Sequence, residues 1–439
     1  MKKLLFFWKE LMATFWLVPV LIILLSIFLA IGFVYVDQII AVSHQGLGRF
    51  FFVNSVDSAR SILSTISGAM IGVAGTVFSV TLVALTLASS QLGPRLIKNF
   101  MYVRLNQVVL GSYISTYLYC LIVLNTLQDS SGSNFIPSLA ILLAIIAAIA
   151  NIILLIIFIH QIATSIQADK VISDISAFIS KQVRVLFPEK MGDEPDTMNH
   201  PEVDNIKSKY ANTVSVKSPK SGYLQYIDSE SLLNVMITLN ALFELNYRPG
   251  DYVVENLELG KLYINQTEEE DDEEKVKKVL FQFVIGNIKT SQQDVEFPIH
   301  QMVEIAARAL SPGVNDPYTA IACIDNLTAT MCYLAQVKFP SKYRIDDKKE
   351  LRVIADTIDF DGVLDAAFNQ IRQFSAGNTA VIIRLMEVLL IIHEFTKNES
   401  YKKAIVKHAK MTLNVGKESI TEKNDLEDLI ERSKKIIKE

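Results

Sequence analysis

The chain has 439 residues, 50% hydrophobic and 20% charged, with a formal net charge of −5. Only eight of its 42 basic residues and four of its 47 acidic ones precede residue 167. That distribution excludes both a purely soluble protein and one lying wholly in the bilayer, and the charge gives no reason to expect nucleic acid as a partner.

Four segments in the first third approach or exceed the roughly 20 apolar residues that cross about 30 Å of hydrocarbon. The first is predicted at about 15–36, a stretch without charge. Its lead-in mixes Lys2, Lys3, Lys9 and Glu10 with Trp8, as an interfacial stub would. The run is longer than a signal-peptide core and no small-x-small cleavage site follows, so a retained helix is expected. The others are predicted at about 61–92, 105–127 and 136–160, the last two forming an antiparallel hairpin. Lys2, Lys3 and Lys9, then Arg95, Lys98 and Arg104, then Lys170, Lys181 and Arg184 fall on one side if all four cross. Both termini are therefore expected to be cytoplasmic. Cys120 falls mid-membrane, and Cys323 and Cys332 on a cytoplasmic helix, so no disulfide framework is expected.

The second segment is unusual, with 34 uncharged residues between Arg60 and Arg95. As a straight helix it would be about 51 Å long, so it must tilt, break or continue into water. At spacings of three and four, one face reads Ser61, Thr65, Gly68, Gly72, Gly75, Ser79, Leu82, Thr86, Ser89. The opposite face reads Leu63, Ile66, Met70, Val73, Val77, Val80, Ala84, Leu87. The apolar face is expected toward lipid and the small one toward protein or water. Two readings of the small face stay open: a packing seam, with Gly68 and Gly72 at GxxxG spacing, or the lining of a conduit in an oligomer. The absence of charge argues against a proton-coupled transporter. Gly93-Pro94 ends the helix. Arg95 and Lys98 then either ring a cytoplasmic mouth that favours anions or anchor at the interface. Asn151, Asn106 and Gln107 are expected to hydrogen-bond between helices.

Beyond the membrane segments the composition is that of a soluble protein. Residues 167–210 are read as a helical extension followed by a linker from Met191 to Tyr210. Residues 211–267 are read as a small β-barrel or sandwich, with strands near 213–216, 223–227, 242–245, 252–254 and 260–264. A short helix at Ser229–Thr238, capped by Ser229, interrupts them. Weakly, this region resembles a lipoyl or biotinyl-carrier barrel, but Met236 is followed by Ile237 and Thr238 instead of the carrier lysine, so no prosthetic group is expected. The seven acids Glu268–Glu274 lack the glycine and alternation of a calcium loop and are read as solvated.

Residues 276–439 are expected to be mainly helical, ending in amphipathic helices such as 363–374, 379–395 and 425–437. His393 and His408 fall in such helices and read as surface or packing residues. The densest chemistry lies at Asp294, His300, Glu304, Arg308, Asn315 and Asp316. His300, Glu304 and Arg308 share one helix face, Pro312-Gly313 breaks that helix, and Asn315 or Asp316 is placed to cap the next. Three readings remain: a buried polar turn clamping two helices, an anion or nucleotide-like ligand at a helix N-terminus, or metal binding or catalysis, although His300 and Glu304 are too few ligands to argue a metal. No metal or cofactor is assigned. There is no Walker loop, nucleophile elbow, H-E-x-x-H or catalytic carboxylate pair, so an enzyme is not favoured.

The strings SGAMIGVAGTVFSVTLVALTLASSQLGPRLIKNF (67–100), NQVVLG (106–111), SGYLQYID (221–228), RPGDYV (248–253) and ARALSPGVNDPYTA (307–320) resemble bacterial predicted membrane proteins grouped only as a domain of unknown function. The resemblance runs nearly end to end, and the last motif is the most specific. It implies a four-helix inner-membrane protein with a cytoplasmic C-terminal domain, and supplies no catalytic residues. In plan only, the layout is similar to bestrophin-type anion channels. The expected fold class is an α-helical membrane protein with four transmembrane helices and a mixed cytoplasmic domain, a small β-barrel or sandwich followed by a helical subdomain. The expected function is a passive conduit for ions or small solutes, homo-oligomeric through the second helix, with a ligand-responsive cytoplasmic domain. The alternative is a membrane-anchored scaffold or sensor that binds a small-molecule or ion ligand, or a protein partner, without transport.

Overall fold

In the computed structural model the described residues are 11–12, 14–39, 55–93, 104–130, 133–165, 167–186, 200–265 and 271–437. The chain divides between Lys170 and Val171 into two compact units.

The first unit holds four apolar helices long enough to cross a membrane: α1 (Leu17–Ile39), α2 (Val56–Leu92), α3 (Arg104–Asn125) and α4 (Ser138–Ser165). A hairpin of β1 (Gln128–Ser130) and β2 (Ser133–Phe135) joins α3 to α4. The inner helix is α3, with ten of its 22 residues buried against four of 23 in α1 and six of 28 in α4. Its sequence explains that place. Gly111 lets α1 approach so closely that a Cβ there would lie 2.9 Å from the Pro19 Cα, and its hydroxyl residues reach the neighbouring helices. Ser115 accepts through its carbonyl from Ser26 at 3.2 Å, and the Tyr119 hydroxyl donates to the Ala140 carbonyl at 3.0 Å. Both Asp37 carboxylate oxygens accept from the start of α4, from the N–H of Leu139 at 3.0 Å and of Ala140 at 2.9 Å. A carboxylate there satisfies orphan donors and complements the helix dipole. Phe28, Tyr35 and Ile156, each more than 60% exposed, turn outward, as lipid contact requires. α2 runs unbroken for 37 residues, about 55 Å, so a break does not absorb its excess length.

The boundary falls within α5 (Ala168–Leu186), and α6 (His200–Lys207) follows in the second unit. Part of the stretch expected as linker is therefore helix, because Val203 and Ile206 have an apolar sheet face to cover; residues 191–199 lie outside the described ones. The strands are β3 (Asn212–Lys217), β4 (Gly222–Ile227), β5 (Leu242–Leu245), β6 (Tyr252–Val253), β7 (Glu258–Ile264), β8 (Phe283–Gly286), β9 (Tyr343–Ile345) and β10 (Leu351–Ala355). The helices among them are α7 (Ser229–Thr238) and α8 (Asp272–Leu280).

The barrel expected at 211–267 does not close. The strands form a five-stranded sheet in the order β3-β7-β5-β10-β9 and a separate three-stranded sheet β6-β4-β8. The physical reason is that β5 pairs in parallel with β10, a strand from more than 100 residues downstream, and β4 pairs with β8 beyond the acidic run. Between the sheets lies one core of Leu224, Ile227, Phe243, Leu262, Phe283, Ile285 and Val353, closed by Leu232 and Met236 of α7 and Val279 of α8. The other face of the larger sheet packs Leu242, Leu351 and Ile354 against Val203, Ile206 and Tyr210. Lys207 fixes α6 there by pairing with Glu244 at 2.7 Å, and Tyr263 donates to the same carboxylate at 2.8 Å. Arg352, 4% exposed, pairs with the equally buried Asp346 at 2.8 Å and donates to the Asn240 side chain. A charged pair is tolerable at that depth because its hydrogen bonds are made.

Two smaller expectations change. Asp228, not Ser229, caps α7 by accepting from the Ser231 N–H. The described end of the acidic run is not loop: Asp271 caps α8, and Asp272, Glu273 and Glu274 form its first turn, where negative charge is favoured.

The remaining helices are α9 (Glu296–Ala309), α10 (Pro317–Leu334), α11 (Phe360–Phe374), α12 (Thr379–Phe395), α13 (Glu399–Ser419) and α14 (Lys423–Lys434). Arg384 of α12 joins Asp325 of α10 at 2.7 Å, and Arg432 of α14 joins Glu387 of α12. The three cysteines are free and buried.

Candidate functional site

The buried residues of α2 recur almost every three and four positions: Val56, Ala59, Leu63, Ser67, Met70, Ala74, Val77, Thr81, Ala84 and Ala88. Leu63 packs with Tyr119 and Ile141, and Met70 and Val77 pack with Tyr113 and Phe158. The apolar face expected toward lipid is thus largely the face that meets the other helices, because its larger side chains interdigitate with α3 and α4. Val80 and Leu87 alone of that face are exposed.

The small face points the other way. Ser61, Thr65, Gly68, Gly72, Gly75, Ser79 and Thr86 are exposed and Ser89 is half-buried. A Cβ added at Gly68, Gly72 or Gly75 would meet nothing within 4 Å. Thr65 donates to the Ser61 carbonyl at 2.7 Å, Ser79 to Gly75 at 2.9 Å and Thr86 to Leu82 at 2.9 Å. These hydroxyls satisfy their donors inside the helix and keep acceptor lone pairs free. The result is an uncharged surface of weak polarity, low in volume from Ser61 to Ser79 and interrupted by Leu82, which is 48% exposed. Arg95 and Lys98 lie outside the described residues.

On the packed side of α2, where Met70 accepts from Asn151, sits a polar node. Asn151, fully buried, donates to the Thr116 hydroxyl at 2.8 Å, and its Oδ1 accepts from Ser112 at 2.6 Å. Its carbonyl accepts from the Tyr113 hydroxyl at 2.7 Å. Asn106 and Gln107 are buried too, and Asn106 Oδ1 has no hydrogen-bond partner among the described residues. The node contains no acid or base, so it clamps helices and does not relay protons.

In the second unit the six candidate residues do not form one cluster. Asp294 precedes α9 and Asp316 follows it, so the 14-residue helix separates them by about 20 Å. His300, Glu304 and Arg308 run half-buried along the helix between them, and none of the three is without a partner. At the far end the connector is tightly bonded. Asn315 adopts a left-handed φ of 49° and donates its N–H to the Ser311 carbonyl, while the Asp316 N–H reaches the Ala309 carbonyl. The Asp316 carboxylate accepts from both the hydroxyl and the N–H of Thr319, which hold its carboxyl below the usual range. The anion position at the start of α10 is therefore already taken by a carboxylate. Val314 of this connector and Tyr318 in the first turn of α10 are 56% and 80% exposed.

At the near end two sequence motifs meet whose link the sequence did not reveal. The turn Arg248-Pro249-Gly250-Asp251 is fixed to β4 by backbone bonds between Gly250 and Leu224 at 2.8 Å and Leu224 and Asp251 at 2.9 Å. Arg248 pairs with Glu296 of α9 at 2.6 Å. Gln293 extends β4 with its side chain, accepting from the Ile227 N–H and donating to its carbonyl. Asp294 is wedged under the turn, 4% exposed. Its Oδ1 accepts from the Phe297 N–H at 3.0 Å. Its Oδ2 has no hydrogen-bond partner among the described residues, with the Lys289 ammonium 3.9 Å away. Burial pushes this carboxyl up to about 6.

A bundle of four apolar helices followed by a unit of two sheets and packed helices defines a membrane protein with a second unit of mixed strands and helices. The family model described as predicted membrane protein (DUF2254) matches residues 12–390, and the chain belongs to that family. Similar relatives are the uncharacterized proteins Mb1321c of Mycobacterium bovis and Rv1290c of Mycobacterium tuberculosis. Each is 30% identical over 381 residues, which cover 86% of this chain and 72% of the relative. No solved structure matches the chain.

Proposed function

We propose that this protein assembles as a homo-oligomer in a bacterial inner membrane, with the small faces of α2 turned to a common axis, and that the assembly is a passive conduit for ions or small solutes. The observation that carries the reading is the outward small face of α2, which no other described part of the chain covers. Against lipid tails, glycines and short hydroxyl side chains offer little surface for dispersion contact. Against the same face of another copy they let backbones approach closely. With enough copies around the axis, the hydroxyl oxygens and helix carbonyls would line a gap. The lack of charge from Ser61 to Pro94 makes such a passage uncoupled to protons. The basic residues after α4 favour a cytoplasmic location for the C-terminal unit and both termini. There the unit serves as regulatory domain.

Cysteines introduced at Gly68, Gly75, Ser79 and Thr86 test this in native membranes. They are expected to react with hydrophilic thiol reagents, whereas cysteines at Ala74, Val77 and Ala84 stay inert. Uniform inertness would contradict the conduit. It would favour a membrane-anchored scaffold or sensor, a reading supported by the exposed Val314 of the α9–α10 connector and Tyr318 at the start of α10.

A further inference from the structure

Away from the candidate site residues, α11 and α13 bring two carboxylates and an imidazole to one place. Asp361 and Asp365 lie one turn apart on α11 and share a face. His408 of α13, 1% exposed, has its Nε2 2.9 Å from Asp365 Oδ1. One donor atom from each of the three residues lies within 4.8 Å of the other two. The Asn369 side-chain amide donates to the same Asp365 oxygen at 2.9 Å. The Lys407 ammonium stands over both carboxylates, 3.3 Å from Asp361 and 3.5 Å from Asp365.

We propose that Asp361, Asp365 and His408 form a binding site for a first-row divalent cation of the zinc class, taken in competition with the Lys407 ammonium. One imidazole nitrogen with two carboxylates suits such ions; magnesium and calcium prefer all-oxygen shells. Bonds of about 2.0–2.2 Å place neighbouring donors roughly 3–4 Å apart. The observed spread must therefore close by only about 1 Å, which the half-exposed Asp361 side chain supplies by rotation. Lys407 is itself 48% exposed on a flexible stem, so it can swing into water and leave the two carboxylates to the ion. Asn369 then acts as the outer partner that orients a ligating carboxylate. For the ion to bind, the imidazole carries its proton on Nδ1, so that Nε2, which here faces Asp365 Oδ1 at 2.9 Å, presents a lone pair instead of an N–H. Three protein ligands leave positions for water, and the ion fastens α11 to α13.

The test uses tag-free, full-length protein in detergent, stripped with a chelator and titrated with zinc chloride by calorimetry. Bound metal is counted after gel filtration. One zinc ion per chain is expected, weakened about tenfold or more by Asp361→Asn and tightened by Lys407→Ala. Asp361 is half-exposed, so that variant is expected to keep its fold, checked by circular dichroism; His408→Gln serves as a second ligand deletion. The proposal is overturned if neither the wild type nor Lys407→Ala binds saturably. It is equally overturned if Asp361→Asn and His408→Gln leave affinity unchanged, which would assign the zinc to another part of the chain such as Glu268–Glu274.

Discussion

At Asp294 burial and charge oppose each other. Desolvation raises its carboxyl from an ordinary 3.8 to about 6, against the attraction of Lys289 and the N–H groups opening α9. The folded chain therefore holds a proton there between pH 4 and 6 that the unfolded chain has released. The stability contributed is complete below about pH 4 and is lost as pH rises through 6. The gap corresponds to about 3 kcal/mol. Asp294→Asn keeps an acceptor for Phe297 and removes the titration, so the thermal midpoint of the wild type should fall relative to the variant between pH 4.5 and 7. Parallel profiles would contradict this assignment. The neighbouring Gly250 has a φ of +104°, and a Cβ there would lie 2.3 Å from Asp294 Oδ2. Gly250→Ala should destabilise by about 2 kcal/mol or more in denaturation. Adding Asp294→Ala should recover part of that loss, because the steric share depends on the carboxylate.

In α2 the packing periodicity, not the hydrophobicity alone, decides which face is which. Gly72→Leu adds volume where nothing stands within 4 Å, so the protomer should keep its thermal midpoint while crosslinking in membranes shifts from oligomer to monomer. An unchanged oligomer would remove α2 from the proposed interface. Asn151→Leu deletes the bonds with Ser112 and Thr116 and should cost about 1–2 kcal/mol in detergent unfolding. The sequence made the length of α2 and the two-faced character of its residues legible, but it assigned the apolar face to lipid. Lipid and a neighbouring helix are equally apolar, so hydrophobicity cannot separate them; interdigitating side-chain shape does, and that needs α3 and α4 in place. β10 was missed for a different reason. Its neighbourhood is rich in charge, including Asp346, Glu350 and Arg352, and the sequence gives no sign that Arg352 and Asp346 are buried as a pair. The same blindness hid the junction of the Arg248 turn with Asp294, since both motifs were visible but their contact spans more than 40 residues.

For the whole molecule, the uneven charge made evident an apolar part with four membrane-length helices and a part of ordinary charged composition. The long-range pairing of β5 with β10 is what turned an expected closed barrel into an open two-sheet unit. The acidic, ordinary composition of that unit says little about its ligand, and the proposed zinc-class site lies on helices whose histidine the sequence alone left among packing residues. The central claim, that the outward small face of α2 lines a passage between copies, is tested most directly by conductance of the purified protein in a planar bilayer, wild type beside Ser79→Trp. Ser79 is exposed in the protomer, so the bulky side chain should spare the fold. The account predicts a wild-type current that Ser79→Trp abolishes while the oligomer persists. Equal currents from both proteins, or no current from the wild type, would contradict it.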